Sequence, residues 1–551
     1  MKKSLALAIL YGLFAVELLA QSNNTINLGI HDESAYHIEY WQLKNADFQH
    51  IHSNIQPMTR NKALQIASNE DLSESVQLYL LAENGDSVVS KQPFWRYFYR
   101  SPAYLYEYKS EGLSFKVNPS LNLEAGMQHT ASGTDFIYTN TRGAKLEGNI
   151  AKKVYFYSDI YETQRLFPNY VNDYFINRFN AIPQAGFYKP FSSRLTNNQQ
   201  DGYDYLLGSG YISFDVAKYI NIQFGNGRNF LGDGYRSLLL SNTSNNYTYL
   251  KLNTHYKFIH YQNIFAEMVA DHLPVANNRV PKKYYAAHYL SINILKNLNI
   301  GLFESIMYGG RGLELAYLNP IIFYRAVEQQ LGSPDNAMIG MTWKYNFIKN
   351  FSFYGQFVLD EFVFSELFID RRGWWGNKYG VQAGLKYVEA FGIKGLRLQA
   401  EFNSVRPYTY SYMDAEANFT HYNQPLAHIL GANFREGIFR ATYTGVDKLF
   451  LEAKFFLINQ GLDTAGINYG SNLQAYYTNR VSDYDNKIGQ GAVQKTMLFD
   501  LTAYYKLRHN LQLGFNYRYR KCTSEITAFN YNTQLFNVFL RYNFVPQRLD
   551  F

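Results

Sequence analysis

Two arginines stand beside two tryptophans in the run Arg371-Arg372-Gly373-Trp374-Trp375-Gly376. Guanidinium forks engage carboxylates at two points, and indole faces give flat apolar area on which a sugar ring can lie. The chemistry open to such a cluster is recognition of an acidic glycan, with no bond made or broken. The same four side chains also suit the rim of a bilayer, where aromatic rings sit at headgroup level and arginines snorkel outward. A second group, Arg228, Tyr235 and Arg236, lies in or just after a glycine-rich run. There Gly225, Gly227, Gly232 and Gly234 permit a sharp inward fold, so the arginines either meet a ligand or pair with carboxylates of the fold itself. Arg325 and Asn336 close a stretch that begins at Asn319-Pro320. That stretch reads as a loop folded inward to constrict a pore, or as a surface loop with helical pieces. Arg406, next to Pro407, completes the set of candidate binding residues.

Catalysis has little to work with. His255, His260, His421 and His428 can in principle orient a serine nucleophile, but the chain has no G-x-S-x-G elbow and no H-E-x-x-H zinc helix. Asp360 and Glu361 are neighbours on a predicted strand and should point to opposite faces, which denies them a joint role. Gly225-Asn226-Gly227 is followed by no helix, so nucleotide binding is set aside. The single cysteine, Cys522, allows no intramolecular disulfide and no multi-cysteine metal site. The expectation is a protein that is not an enzyme and has no cofactor and no metal. With 52 Lys and Arg against 45 Asp and Glu, a net charge of +7 is too weak for a dedicated nucleic-acid binder.

The elements that must position these residues are strands. From Leu113 to Glu124 apolar and polar residues alternate at all twelve positions, the period of a strand with one apolar and one polar face. The same alternation recurs at Leu396 to Asn403 and Leu511 to Arg520. Strands are predicted at 113–126, 135–150, 153–164, 204–216, 219–231, 247–256, 259–269, 284–295 and 298–307, then at 336–346, 351–361, 377–388, 395–405, 435–444, 448–458, 495–507, 511–521 and 534–544. Most run to about ten residues, the length that crosses a bilayer at a tilt. Short connections alternate with long ones, as in outer-membrane barrels with brief periplasmic turns and long external loops. The fold class expected is an all-β transmembrane barrel of about 18 antiparallel strands, with both chain ends periplasmic and Lys116, Glu124, Arg397, Glu401, Arg518 and Arg520 in a polar lumen. No run of about 18 apolar residues follows the first twenty positions, which excludes a helical membrane protein.

The N-terminus has the order of a secretory signal, with Lys2-Lys3, an apolar stretch from Leu5 to Val16, and Ala20 before Gln21. No cysteine follows it, so no lipid anchor is expected. Residues 1–20 are therefore assigned to a signal peptide, 21–110 to a small N-terminal periplasmic or plug region, partly helical over Lys62 to Leu81, and 111–551 to the barrel. Tyr40, Trp41, Phe94, Trp95, Tyr97 and Phe98 argue that the N-terminal region is folded.

The run from Gly225 to Ser241, GNGRNFLGDGYRSLLLS, resembles the signature of the Wzi-like capsule assembly outer-membrane protein family, in particular the Bacteroidetes branch that includes the gliding motility protein RemB. Ile182 to Phe191, Leu318 to Arg325 and Gly332 to Ala337 match that branch too, as, less closely, do Val405 to Tyr410 and His421 to His428. The resemblance implies an eighteen-stranded outer-membrane barrel, closed at its periplasmic mouth by an N-terminal helical part, that holds capsular or other surface polysaccharide. Its partners would be outer-membrane lipid and surface polysaccharide, or gliding and envelope proteins, and no nucleic acid.

Overall fold

The computed structural model describes residues 26–551 apart from 49, 68–71, 85–97, 193–200, 272–279, 333, 415 and 465. The expected signal peptide, and Phe94, Trp95 and Tyr97, lie outside the described residues. Eighteen antiparallel strands close into one barrel. They are β1 (Leu113–Thr130), β2 (Gly133–Ile150), β3 (Val154–Leu166), β4 (Asp201–Ala217), β5 (Ile220–Gly227) and β6 (Tyr247–Tyr256). Next come β7 (Ile259–Val269), β8 (Lys282–Leu295), β9 (Leu298–Gly309), β10 (Asn336–Ile348), β11 (Phe351–Glu361) and β12 (Lys378–Val388). The ring is completed by β13 (Leu396–Val405), β14 (Phe434–Tyr443), β15 (Leu449–Leu462), β16 (Ala492–Arg508), β17 (Leu511–Ser524) and β18 (Asn532–Tyr542), which pairs back onto β1 with Tyr542 opposite Leu121. Each predicted strand has its counterpart, although β5 stops at Gly227 where the alternation suggested 231. Ten residues rise about 34 Å, and at a tilt near 40° cover about 26 Å, close to the thickness of an apolar bilayer band.

Burial runs inside out. On β1 the polar Asn118, Ser120 and Asn122 are buried while the apolar Leu123 and Met127 on the opposite face are exposed. Ile160, Phe224, Leu302, Phe402, Leu457 and Phe536 extend that exposed apolar face around the ring. Arg397, Glu401 and Arg520 are buried in the lumen, as the alternation required. Connections at one end are short, such as Lys257-Phe258 and Lys296-Asn297, and at the other end they are mostly long. The alternation in length is not complete, because β1 and β2 are joined at the long-loop end by Ala131-Ser132 alone.

Residues 26–84 sit at the short-turn end and fold around three helices, α1 (Glu33–Asn45), α2 (Arg60–Ala67) and α3 (Glu74–Asn84). The single helix predicted over 62–81 is thus two. Asp32 caps α1 by accepting from the Ala35 N–H at 2.8 Å, and Ala46 ends it in the left-handed conformation. Ile38, Trp41, Ala63, Ile66 and Leu80 form the small core of this part. Polar contacts fasten it to the barrel wall: Glu39 to Lys386 and Arg397, Glu33 to Lys506, Arg60 to Glu147 at 2.7 Å, and Asn54 to Tyr289 at 2.7 Å. The last residues add to the filling. Val545 to Phe551 turn back from β18 into the lumen, where the Phe551 ring lies 4.6 Å from that of Tyr174 and the Arg520 Nε donates to the Phe551 carbonyl at 3.0 Å. The first and last strands open at the short-turn end, as expected, but the chain's final residue lies within the barrel.

Candidate functional site

The glycine-rich run leaves β5 and dives into the lumen. Ile55-Gln56 of the N-terminal part pairs with Phe230-Leu231, and the Gly232 N–H donates to the Asn54 carbonyl at 2.8 Å. Gly232 has φ +130°, and a Cβ there would sit 1.9 Å from the Gln356 amide nitrogen, so no other residue fits. This turn delivers Tyr235 and Arg236 to lumen carboxylates. Their backbone N–H groups donate to Glu401 at 2.6 and 3.1 Å, and the Arg236 guanidinium pairs with Glu436 at 3.4 Å and Asp550 at 3.2 Å. The Tyr235 hydroxyl donates to the Asp550 carboxylate. Tyr235 and Arg236 are both buried, so of the two roles open to them the structure gives the internal one. Arg228 differs: it is half-buried, its guanidinium donates to the Asn242 carbonyl at 3.3 Å, and burial pushes its pKa below that of a free arginine.

Two long connections, those that follow β3 and β13, close over this run. The Ser241 N–H donates to the Leu426 carbonyl at 2.7 Å, Tyr410 to the Leu238 carbonyl at 2.7 Å, and Tyr174 to the Ile429 carbonyl at 2.9 Å. Leu238, Leu239, Leu240, Phe419, Leu426 and Leu430 pack there in an apolar cluster within the polar barrel.

The Asn319 to Asn336 segment does not constrict the pore. Its helix α4 (Tyr324–Gln330) lies against the outer wall: Tyr317, Tyr324 and Val327 pack on Phe265, Ala286, Ile306 and Tyr308. Ala266, Tyr285 and Met307, the residues that alternate with these on the same strands, belong to the lumen cluster. The Pro320 carbonyl accepts from Tyr261 at 2.5 Å and Asn263 at 2.9 Å, midway along β7. The physical reason is a set of polar groups, Asn263, His288 and Glu304, on the outward faces of β7 to β9. In lipid they would be unsatisfied, and the flap supplies them with partners. Arg325 is thus exposed outside the barrel and pairs with Glu328, while Asn336 is buried and donates to the Ala417 carbonyl at 2.9 Å.

The remaining candidates do come together at the long-loop end. Arg372 stacks 4.2 Å over the Tyr484 ring and donates to Glu366 at 3.0 Å. Trp374 and Trp375 lie 5.7 Å apart, and Trp375 packs 4.8 Å from Tyr477, with the Arg480 guanidinium 4.2 Å over its face. Arg406 ties the cluster together by donating to the carbonyls of Trp374 at 3.2 Å and Asn486 at 3.3 Å. Arg371 is exposed beside Phe368 and Ile369, which are also exposed, an arrangement suited to a bilayer rim. Arg480, Tyr477 and Tyr484 were not singled out from sequence, although the adjacent pair Tyr476-Tyr477 close before Arg480 was a signal that could have found them. Nor were Asp360 and Glu361 read correctly. A register shift between Leu359 and Glu361 turns both carboxylates onto the Lys378 ammonium, at 3.5 and 3.3 Å.

The sequence model of the capsule assembly protein Wzi family matches residues 171–534. The chain belongs to that family. No curated protein matches it. Among solved structures, this Wzi-family barrel is similar to Wzi of Escherichia coli, an outer membrane protein involved in group 1 capsule assembly and a carbohydrate-binding β-barrel. The TM-score is 0.56 at 12% identity, over 95% of this chain and 99% of that one. Weaker likeness reaches two proteins of Pseudomonas aeruginosa: OpdK, solved with vanillate (TM-score 0.43, 9% identity, 78% of this chain and 98% of that), and OprD (0.40, 11%, 77% and 94%). At these identities the likeness is one of fold, and the family's eighteen-stranded barrel is the architecture described above.

Proposed function

We propose that the protein is an outer-membrane barrel that binds surface polysaccharide and assists the assembly or attachment of a capsule or exopolysaccharide. The observation that carries this reading is the rim of the long-loop end, where Arg372, Arg480, Trp374, Trp375, Tyr477 and Tyr484 interlock from two connections on a closed barrel of the Wzi family. Arginine forks and ring faces held on a rigid frame recognise acidic sugars without a catalytic step. The exposed apolar belt supports insertion in a bilayer, and the difference in loop length supports a periplasmic short-turn end, with residues 26–84 as its plug. Direct binding of the purified barrel to surface polysaccharide extracted from its own organism tests the proposal, with an unrelated barrel as control. Saturable binding that a soluble fragment of the glycan competes away is the expected result, and binding no greater than the control's refutes it.

The Gly225 to Ser241 run favours a second reading through its resemblance to the RemB branch. In it the barrel is an accessory of gliding or surface-adhesin machinery, with protein partners. A deletion strain that keeps its capsule and stops spreading would select that reading over the first. A passive porin is disfavoured by the filled lumen, and single-channel conductance decides it.

A further inference from the structure

The lumen is not filled evenly. Between α1, α3, the run after β5, the final residues and the walls of β1 to β5 and β14 to β18 there is a chamber of about 1260 Å³. That exceeds the roughly 300–1,000 Å³ typical of drug-sized ligands and leaves room for an occupant of several rings. Its lining includes the exposed Lys394, Val446 and Lys448 at the short-turn end and the buried Leu166, Pro183, Ala427 and Ile429 at the other. Among the described residues the chamber therefore opens toward the short turns and is roofed toward the long loops.

Thirteen Lys and Arg line it against eight Asp and Glu. Most of these charges cancel locally: Arg541 pairs with Glu124 at 2.6 Å, Arg518 with Asp500 at 2.6 Å, and Arg440 with Glu452 at 2.7 Å. Among the described residues, three of the lining guanidinium groups form no ion pair with a carboxylate and are held by neutral oxygens. Arg165 on β3 donates to the Gln547 amide at 2.9 Å, Arg228 to the Asn242 carbonyl at 3.3 Å, and Arg548 to the Tyr235 carbonyl at 3.1 Å. The carboxylates of their own sector are engaged elsewhere, Glu124 by Arg541 and Asp159 by Tyr157 at 2.8 Å and Ser209 at 2.7 Å. Asp159 and Glu124 act on Arg228 and Arg165 through space without forming an ion pair with them, so each fork keeps N–H donors to spare for a further anion. Around them stand tyrosine rings, Tyr161 and Tyr211 among them, which offer stacking faces and hydroxyls.

We infer that this lumen chamber is a second glycan site, one that takes a carboxylate-bearing oligosaccharide from the short-turn end through Arg165, Arg228 and Arg548. The inference rests on the polysaccharide reading for its ligand class and is independent of the outer rim for its location. An uronic acid oligomer supplies repeated carboxylates for the forks and ring faces for the tyrosines. A lipid headgroup with one anionic group would engage one of these forks and leave the other two without a carboxylate.

The test is titration calorimetry on the purified, detergent-solubilised full chain with tetragalacturonate and, as the neutral probe, maltotetraose. Tetragalacturonate should bind and maltotetraose should not. Arg165→Gln, Arg228→Gln and Arg548→Gln should each weaken binding about tenfold, the loss of one charge-assisted contact. Arg548→Lys should lose less, and each variant's thermal melt shows whether it remains folded. The rim variant Arg371→Ala/Arg372→Ala should leave this binding unchanged. Equal binding of maltotetraose, loss of binding in the rim variant, or indifference to all three chamber substitutions in folded protein would overturn the inference. So would a failure of tetragalacturonate to bind while the extracted polysaccharide does, with the surface reading left intact. Chamber binding of tetragalacturonate with no binding of the extracted polysaccharide would sink the surface reading and leave the chamber standing.

Discussion

Arg236 and Arg372 both follow a strand into a long connection rich in glycine and aromatic residues, and their situations are opposite. Arg236 is 4% exposed and held by two carboxylates and a backbone carbonyl, whereas the Arg372 side chain is 56% exposed and shares its one carboxylate, Glu366, with the Tyr484 hydroxyl. The contrast teaches where each arginine does its work. An arginine in a closed network belongs to the fold, because removing one member strands its partners without water. An arginine at a wet rim contributes almost nothing to stability and is free to bind. The two regions should thus separate cleanly by experiment.

The largest effect is expected inside. Arg236→Ala takes one buried partner from each of Glu436 and Asp550, which keep His428 at 2.7 Å and Lys454 at 3.0 Å, and breaking a buried pair costs about 3–5 kcal/mol. The thermal unfolding midpoint of the purified barrel should fall accordingly. A drop no larger than that of a surface substitution would erase the distinction between the two regions.

A smaller effect should appear with pH in the N-terminal part. Burial alone would raise the Glu33 carboxyl, but Lys506, with help from His37, holds it down at about 2 against an ordinary 4.5. Burial, reinforced by His255, pushes the His52 imidazole well below its ordinary 6.5. Both shifts have the same sign for stability. Unfolded His52 takes up a proton as pH falls below 6.5 while folded His52 does not, and unfolded Glu33 is protonated below 4.5 while folded Glu33 stays charged. The contribution of these two groups is thus fully present above about pH 6.5 and declines in two stages as pH falls toward 2. His52→Gln should flatten the first stage and Glu33→Gln the second. A melting midpoint that stays level from pH 7 to pH 3 would contradict the assignment.

At the rim the expected change is in binding alone. Arg371→Ala/Arg372→Ala should weaken capture of the extracted polysaccharide, more so at low than at high salt, with no shift in melting temperature. A destabilised double variant would mean that the rim, like the lumen, is structural.

The barrel was legible because period-two alternation is a local property: Leu113 to Glu124 shows its two faces without reference to anything distant. The destination of a loop is not local. Nothing within Gly225 to Ser241 says that Arg236 will meet Asp550, a residue 314 positions on. The flap at 310–335 left a trace that could have been read. Glu304 and His288 fall on the apolar side of their strands, and a charge on a lipid-facing position asks for cover. The two carboxylates on Lys378 escaped because a one-residue register shift breaks the very periodicity that made the rest readable.

That flap gives the finest test of inside against outside. Ile321 and Phe323 are 80% and 78% exposed, yet the carbonyl of Pro320 bonds to Asn263 midway along β7. If the belt faces lipid at this height, these two side chains sit among acyl chains, and the flap is part of the membrane surface. Cys522, the sole cysteine, is buried, so Cys522→Ser provides a clean background for a nitroxide at Phe323→Cys in lipid vesicles. The label should be relaxed by oxygen and shielded from a water-soluble nickel chelate, matching one placed at the belt position Phe402. A label as open to nickel as one at Arg371 would lift the flap out of the bilayer. Asn263, His288 and Glu304 would then be covered against water, and the cost of baring them to lipid would no longer explain why the flap is there.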